Sequence, residues 1–104
     1  MITKIVRLLD VVADDELKRA REQKGERFYS HHEAYGVTLE EVQEAIEELD
    51  KAADQLDEIW GCIRLDYGVK KKNLEQLDMC ALNGAAELIQ VAAMARKWKE
   101  SGLK

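Results

Sequence analysis

One run of apolar residues constrains this chain more than any other feature. Tyr35, Leu39, Val42, Ile46, Leu49, Ala53, Leu56, Trp60 and Ile63 follow one another in alternating steps of four and three. That spacing keeps side chains on one face of an α-helix, whereas a strand would scatter them over both of its faces. A second run of the same kind comprises Leu74, Leu77, Ala81, Gly84, Leu88, Val91, Ala95 and Trp98. Before both, Ile2, Ile5, Val6, Leu9, Val12, Leu17 and Ala20 recur at mostly helical spacing up to Gly25. The chain has no proline and only 6 glycines, so the turn punctuation of β-sandwiches and multi-loop α/β folds is missing. The expected fold is all-α in a single domain over residues 1–104, with helices at about 2–24, 31–65 and 72–100. Both Ser30-His31-His32-Glu33 and Thr38-Leu39-Glu40-Glu41 match a capping box. Ser30 is preferred because the apolar run passes unbroken through the later site, although Gly36 then costs about 1 kcal/mol inside the helix. A turn is expected around Asp66-Tyr67-Gly68, and Ser101-Gly102 ends the third helix.

The two runs suggest a long antiparallel hairpin. Pairing Ile63 with Leu74 sets Trp60 against Leu77, Leu56 against Ala81, Ala53 against Gly84 and Leu49 against Leu88. The same register carries Ile46 to Val91, Val42 to Ala95 and Leu39 to Trp98. Large residues then mostly meet small ones, Trp60 being the main exception, over a hairpin about 36 Å long. Leu82, Ala85, Ala86, Ile89, Ala92 and Ala93 give the third helix further apolar faces that the second cannot cover. The N-terminal helix and a second subunit are their natural lids, so a bundle completed by homo-oligomerisation, as a homodimer or homotetramer, is expected.

Charge is distributed unevenly. The net charge of −5 divides into +1 over residues 1–27, −9 over 28–67 and +3 over 68–104. From Phe28 to Asp50 there is no Lys or Arg, while Glu33, Glu40, Glu41, Glu44, Glu47, Glu48 and Asp50 accumulate. Like charges three and four residues apart repel, so this face calls for a cation. It also opposes nucleic-acid phosphates. No stretch approaches the roughly 18 apolar residues that span a bilayer. Asp10, Asp14, Asp15 and Glu16 argue against a transit peptide. Cys62 and Cys80 form no CxxC or CxxH pattern, which suits a reduced cytoplasmic setting and argues against structural zinc.

Helical phase places Glu41, Glu44 and Glu48 of the second helix beside Asn83, Glu87 and Gln90 of the third, on one groove, with Glu40 and Glu47 turned away. Glu87 is the only charge between Asp78 and Arg96. A carboxylate in such an apolar stretch must be paired, protonated or metal-bound. Hard oxygen ligands in this number suit Mg²⁺ or Mn²⁺.

Glu40-Glu41-Val42-Gln43-Glu44 followed by Glu87-Leu88-Ile89-Gln90 resembles the paired ExxE and ExxD signature of the all-α nucleoside triphosphate pyrophosphohydrolases, the MazG-like and dimeric dUTPase-like superfamily. The stretches HHEAYGVTLEEVQEAIEEL and AAELIQVAAMARK are similar to small MazG-like proteins of phage and prophage genomes. The resemblance spans roughly residues 31–97. It implies hydrolysis of a nucleoside triphosphate to monophosphate and pyrophosphate, with Mg²⁺ held by Glu41, Glu44, Glu87 and Gln90. Gln90 stands where the family carries Asp.

In that chemistry Glu44 or Glu48 would orient or deprotonate the attacking water. Lys70, Lys71, Lys72, Arg21, Lys24, Arg27, Arg96 and Lys97 are available for phosphate, with Lys97 preferred over Arg96 and Asn83 close by. Phe28, Tyr29 or Tyr35 offer a ring to a base. Plainer readings stand beside each of these. The glutamates form a solvated helix face, and Glu87 pairs with a cation of the first helix or of a partner chain. His31 and His32 are capping neighbours, the lysine triplet is a solvated turn, the cysteines are packing residues, and both tryptophans are core. The alternative function is a non-catalytic helical oligomerisation or interaction protein, a degenerate relative without turnover.

Overall fold

A computed structural model describes all 104 residues, Met1–Lys104. It contains three helices, α1 (Ile2–Lys24), α2 (His31–Arg64) and α3 (Lys71–Lys99), and no strand. Each boundary has a local cause. The Ser30 hydroxyl accepts the Glu33 N–H at 3.0 Å, and the Glu33 carboxylate accepts the Tyr29 N–H at 2.9 Å. Two orphan donors at the start of α2 are thereby satisfied, so Ser30 is the N-cap and Gly36 lies inside the helix. At its other end, Asp66 takes a left-handed φ of 59°. The Tyr67 and Asp66 N–H groups then reach back to the carbonyls of Cys62 and Ile63, a Schellman closure without glycine. Gly25, at φ 99°, ends α1 in a conformation that a side chain would strain.

The chain folds around α3. Helix α2 packs antiparallel along it, and α1 packs on α3 rather than on α2. A small core gathers Leu17, Ala20, Phe28, Ala34, Ala93 and Met94 where the end of α1, the connection and the start of α2 meet the end of α3. Burying side chains of the size of Leu17, Phe28 and Met94 contributes about 1.5–3 kcal/mol each. The Ser101 hydroxyl fastens this end by accepting the Phe28 N–H at 2.9 Å while donating to the Lys97 carbonyl at 2.6 Å. Arg96 bonds the carboxylates of Asp10 and Asp14, and Arg21 pairs with Glu100, which hold α1 on α3. At the opposite end the buried Asn73 amide donates to the side chains of Gln55 and Glu58, closing the hairpin near its turn.

The hairpin forms, but neither on the expected face nor in the expected register. Ala34, Ala45 and Ile59 of α2 and Asn73, Cys80, Ala93, Met94 and Lys97 of α3 are the buried residues. Gly84 faces Glu48, whose Cβ would lie 3.6 Å from a Cβ added there, and not Ala53. A shift of five residues slides the helices by about 7.5 Å relative to the sequence-based pairing. The physical reason is side-chain size. Ala45 and Ala52, which lie with Cys80 and Gly84, also fall on a four–three pattern, and small residues let the helix axes approach more closely. The larger run is left outside. Leu49 is 67% exposed, Trp60 59% and Leu88 58%. Trp60 is therefore not core, whereas Trp98 is half-buried and packs against the core cluster. Cys62 and Cys80 are free thiols, half-buried and buried, as packing residues would be. No helix is long and apolar enough to cross a membrane.

Candidate metal and anion site

Turning the hairpin leaves the carboxylates together. Glu41 and Glu44 stand three residues apart on α2, and Glu87 projects from α3 beside them, so that one oxygen of each lies within 4.8 Å of the others. Glu44 is exposed, while Glu41 and Glu87 are half-buried. None of the three belongs to an ion pair; the pairing of Glu87 with a cation of α1 is absent. Burial raises the Glu87 carboxyl above its ordinary range, and Glu44, Glu41 and Glu48 raise it further. Burial also raises Glu41, followed by repulsion from Glu44, with Lys24 opposing. Carboxylates crowded against one another and partly removed from water are poorly stabilised as they stand. The donor set fits a hard divalent cation, which takes oxygen ligands and removes that repulsion.

The remaining candidates divide. Glu48 is next to the cluster but in the interhelical line, where Lys51 holds it at 3.2 Å. Gln90 lies one turn after Glu87 and near Glu16 of α1, whose carboxyl is held below its usual range first by Arg19 and, against burial, also by Gln90. Asn83 is exposed and makes no hydrogen bond. Arg96, a candidate for phosphate, is instead committed to Asp10 and Asp14. Phe28 is 3% exposed, a core ring with no face for a base, whereas Tyr29 and Tyr35 are open to solvent. His31 Nδ1 accepts the Trp98 indole N–H at 3.0 Å and is occupied structurally.

Lys97 has a more specific setting. It is 4% exposed and forms no ion pair or side-chain hydrogen bond; its ammonium sits 4.6 Å from the centre of the Phe28 ring. A cation–π contact contributes about 0.5–2 kcal/mol and leaves the ammonium's donors unused. It lines a cleft of about 320 Å³ between α1, α2 and α3, together with Arg19, Lys24, Arg27 and Tyr29. Glu41 lines the same cleft with Glu16, Glu33 and Glu40, so the carboxylate cluster adjoins a wall that carries cations among carboxylates. The sequence alone missed Arg19 and Gln23 in this wall. Their one signal was the Glu16, Arg19, Gln23 ladder at helical spacing on α1. Compared with known proteins, the chain matches no protein family, no curated protein and no solved structure.

Proposed function

We propose that this chain is a divalent-cation-dependent nucleotide pyrophosphohydrolase, related to the all-α nucleoside triphosphate pyrophosphohydrolases of the MazG-like kind. One observation carries the reading: three unpaired carboxylates from two helices meet within 4.8 Å, at the edge of a cleft holding a buried, anion-free lysine. A cation-binding corner next to free ammonium and guanidinium groups is what a magnesium-bound polyphosphate requires. Mg²⁺ bound there would neutralise phosphate charge and acidify a water. Glu41 and Glu87, the half-buried pair, would hold the cation. Glu44 is exposed and in no ion pair, so it is better placed than the Lys51-bound Glu48 to accept a proton from water. Lys97 would bind a phosphate oxygen through its unused donors, with Arg19, Lys24 and Arg27 on the same cleft. Exposed Tyr29, stacked by Arg27 at 5.2 Å, offers a surface to the base.

A second reading, a helical interaction protein without turnover, draws on the uncharged amide of Gln90 one turn after Glu87, which adds no fourth carboxylate to the cluster. Pyrophosphate release from a panel of ribo- and deoxynucleoside triphosphates, with Mg²⁺ and with EDTA, separates the two. Mg²⁺-dependent release that Glu44→Gln lowers at least about 100-fold, and that Lys97→Met weakens mainly through KM, is expected. Absence of release from every nucleotide, in a folded protein, refutes the enzyme and supports the second reading.

A further inference from the structure

The capping box at the start of α2 does more than satisfy backbone donors. Oε1 of Glu33 accepts the Tyr29 N–H at 2.9 Å, which fixes the carboxylate beside that tyrosine. The other oxygen of Glu33 accepts no hydrogen bond, and the residue is in no ion pair. One face of the Tyr29 ring carries the Arg27 guanidinium at 5.2 Å. The other face is open, Tyr29 being 77% exposed. Glu33, Tyr29 and Arg27 all line the cleft that holds the buried Lys97. A ring stacks on any base, because every base has a π-face, so Tyr29 by itself selects none. The carboxylate fixed beside it is an acceptor only, and it does discriminate.

Glu33, Val37 and Glu41 follow at steps of four along α2, so they form one stripe, and all three line the cleft. Eight helical residues separate Glu33 from Glu41 by about 12 Å. A nucleotide whose phosphates lie between the carboxylate cluster and Lys97 then carries its base toward the Tyr29 end, where the Glu33 carboxylate meets the base edge. Base edges differ in sign at that point. Adenine and cytosine present an amino group, a donor, where thymine and uracil present a carbonyl oxygen, an acceptor. An amino N–H directed at an ionised carboxylate makes a charge-assisted hydrogen bond. A carbonyl in the same place sets acceptor against acceptor, and both lose water without a replacement.

We propose, resting on the nucleotide reading of this cleft, that Glu33 is a specificity-determining residue that selects nucleotides with an amino-bearing base, adenine or cytosine, over their carbonyl counterparts. Titration calorimetry on the full chain in EDTA tests this without turnover. Two pairs of nucleoside monophosphates serve as probes, CMP against UMP and AMP against IMP, each an exchange of amino group for carbonyl. The amino-bearing member of each pair is expected to bind at least about tenfold more tightly, as one hydrogen bond to a charged group gives. Glu33→Gln removes the charge and keeps the cap, since glutamine fills the same place in a capping box. It should retain the helicity of the wild type by circular dichroism and bring both affinity ratios close to one. The proposal is overturned if either amino-bearing nucleotide binds no more tightly than its counterpart, or if the ratios persist in Glu33→Gln. The wild-type comparison decides by itself should that variant lose helicity. Missing pyrophosphate release with Mg²⁺ refutes the hydrolase alone, equal affinities within a pair refute the role of Glu33 alone, and no binding of any of the four refutes both.

Discussion

Replacing Glu87 by glutamine should make the metal-free protein more stable and the magnesium-treated protein less so. Two unit charges 4.8 Å apart repel by about 0.9 kcal/mol in bulk water and by about 3.5 kcal/mol at an effective dielectric constant of 20. The oxygens of Glu87, Glu44 and Glu41 lie within that distance of one another, at a site that is half-buried and partly wet, which places the repulsion nearer the lower figure. Glu87→Gln removes it while keeping the side chain's size, so a gain of about 1 kcal/mol is expected. For a domain of this length that is a rise of about 4–8 °C in Tm at fixed protein concentration. Wild-type protein should instead be stabilised by Mg²⁺, since a cation at ten times its Kd stabilises the folded state by about 1.4 kcal/mol. The variant should lose most of that response. Thermal unfolding followed by circular dichroism, with and without Mg²⁺, gives all four values. If Glu87→Gln lowers the metal-free Tm, the three carboxylates do not repel. If the variant keeps the full magnesium response, the cation binds elsewhere.

Three further outcomes follow from the same structure. Both Glu41 and Glu87 have raised folded-state values, so the folded protein binds protons more readily than the unfolded chain and stability falls as pH rises through their range. Without metal, denaturant midpoints should therefore be higher near pH 5 than near pH 7.5. Added Mg²⁺ should raise the pH 7.5 value selectively, and Glu16, whose value is lowered, acts in the opposite sense at still lower pH. Ser101→Ala leaves the buried Phe28 N–H without its acceptor, at a cost of about 1–3 kcal/mol read from urea unfolding. Gly84→Ala should stabilise by up to about 1 kcal/mol through helix propensity, because the new methyl would meet Glu48 Cβ at an ordinary 3.6 Å; a loss of stability in the same assay would mean that the helices are closer than described.

How much could be read without coordinates depended on how local each cause was. Helix ends came from short-range chemistry, the Ser30 hydroxyl and Glu33 for α2 and Gly25 for α1, and both are where the sequence put them. The meeting of Glu41, Glu44 and Glu87 also survived, because it needs only that α2 and α3 be antiparallel and that these residues share a flank. Arg96 was different, since its partners Asp10 and Asp14 belong to α1, and nothing in the apolar periodicity of α3 says where α1 lies. The register failed for a deeper reason. On α2 the Leu39, Val42, Ile46, Leu49 face and the Ala34, Ala45, Ala52, Ile59 face both obey the four–three spacing, offset by about a quarter turn of the helix. Hydrophobicity favours the first face as the hairpin interface, but close approach of two helices favours the second, whose Ala45 and Ala52, beside Cys80 and Gly84, let the backbones come together.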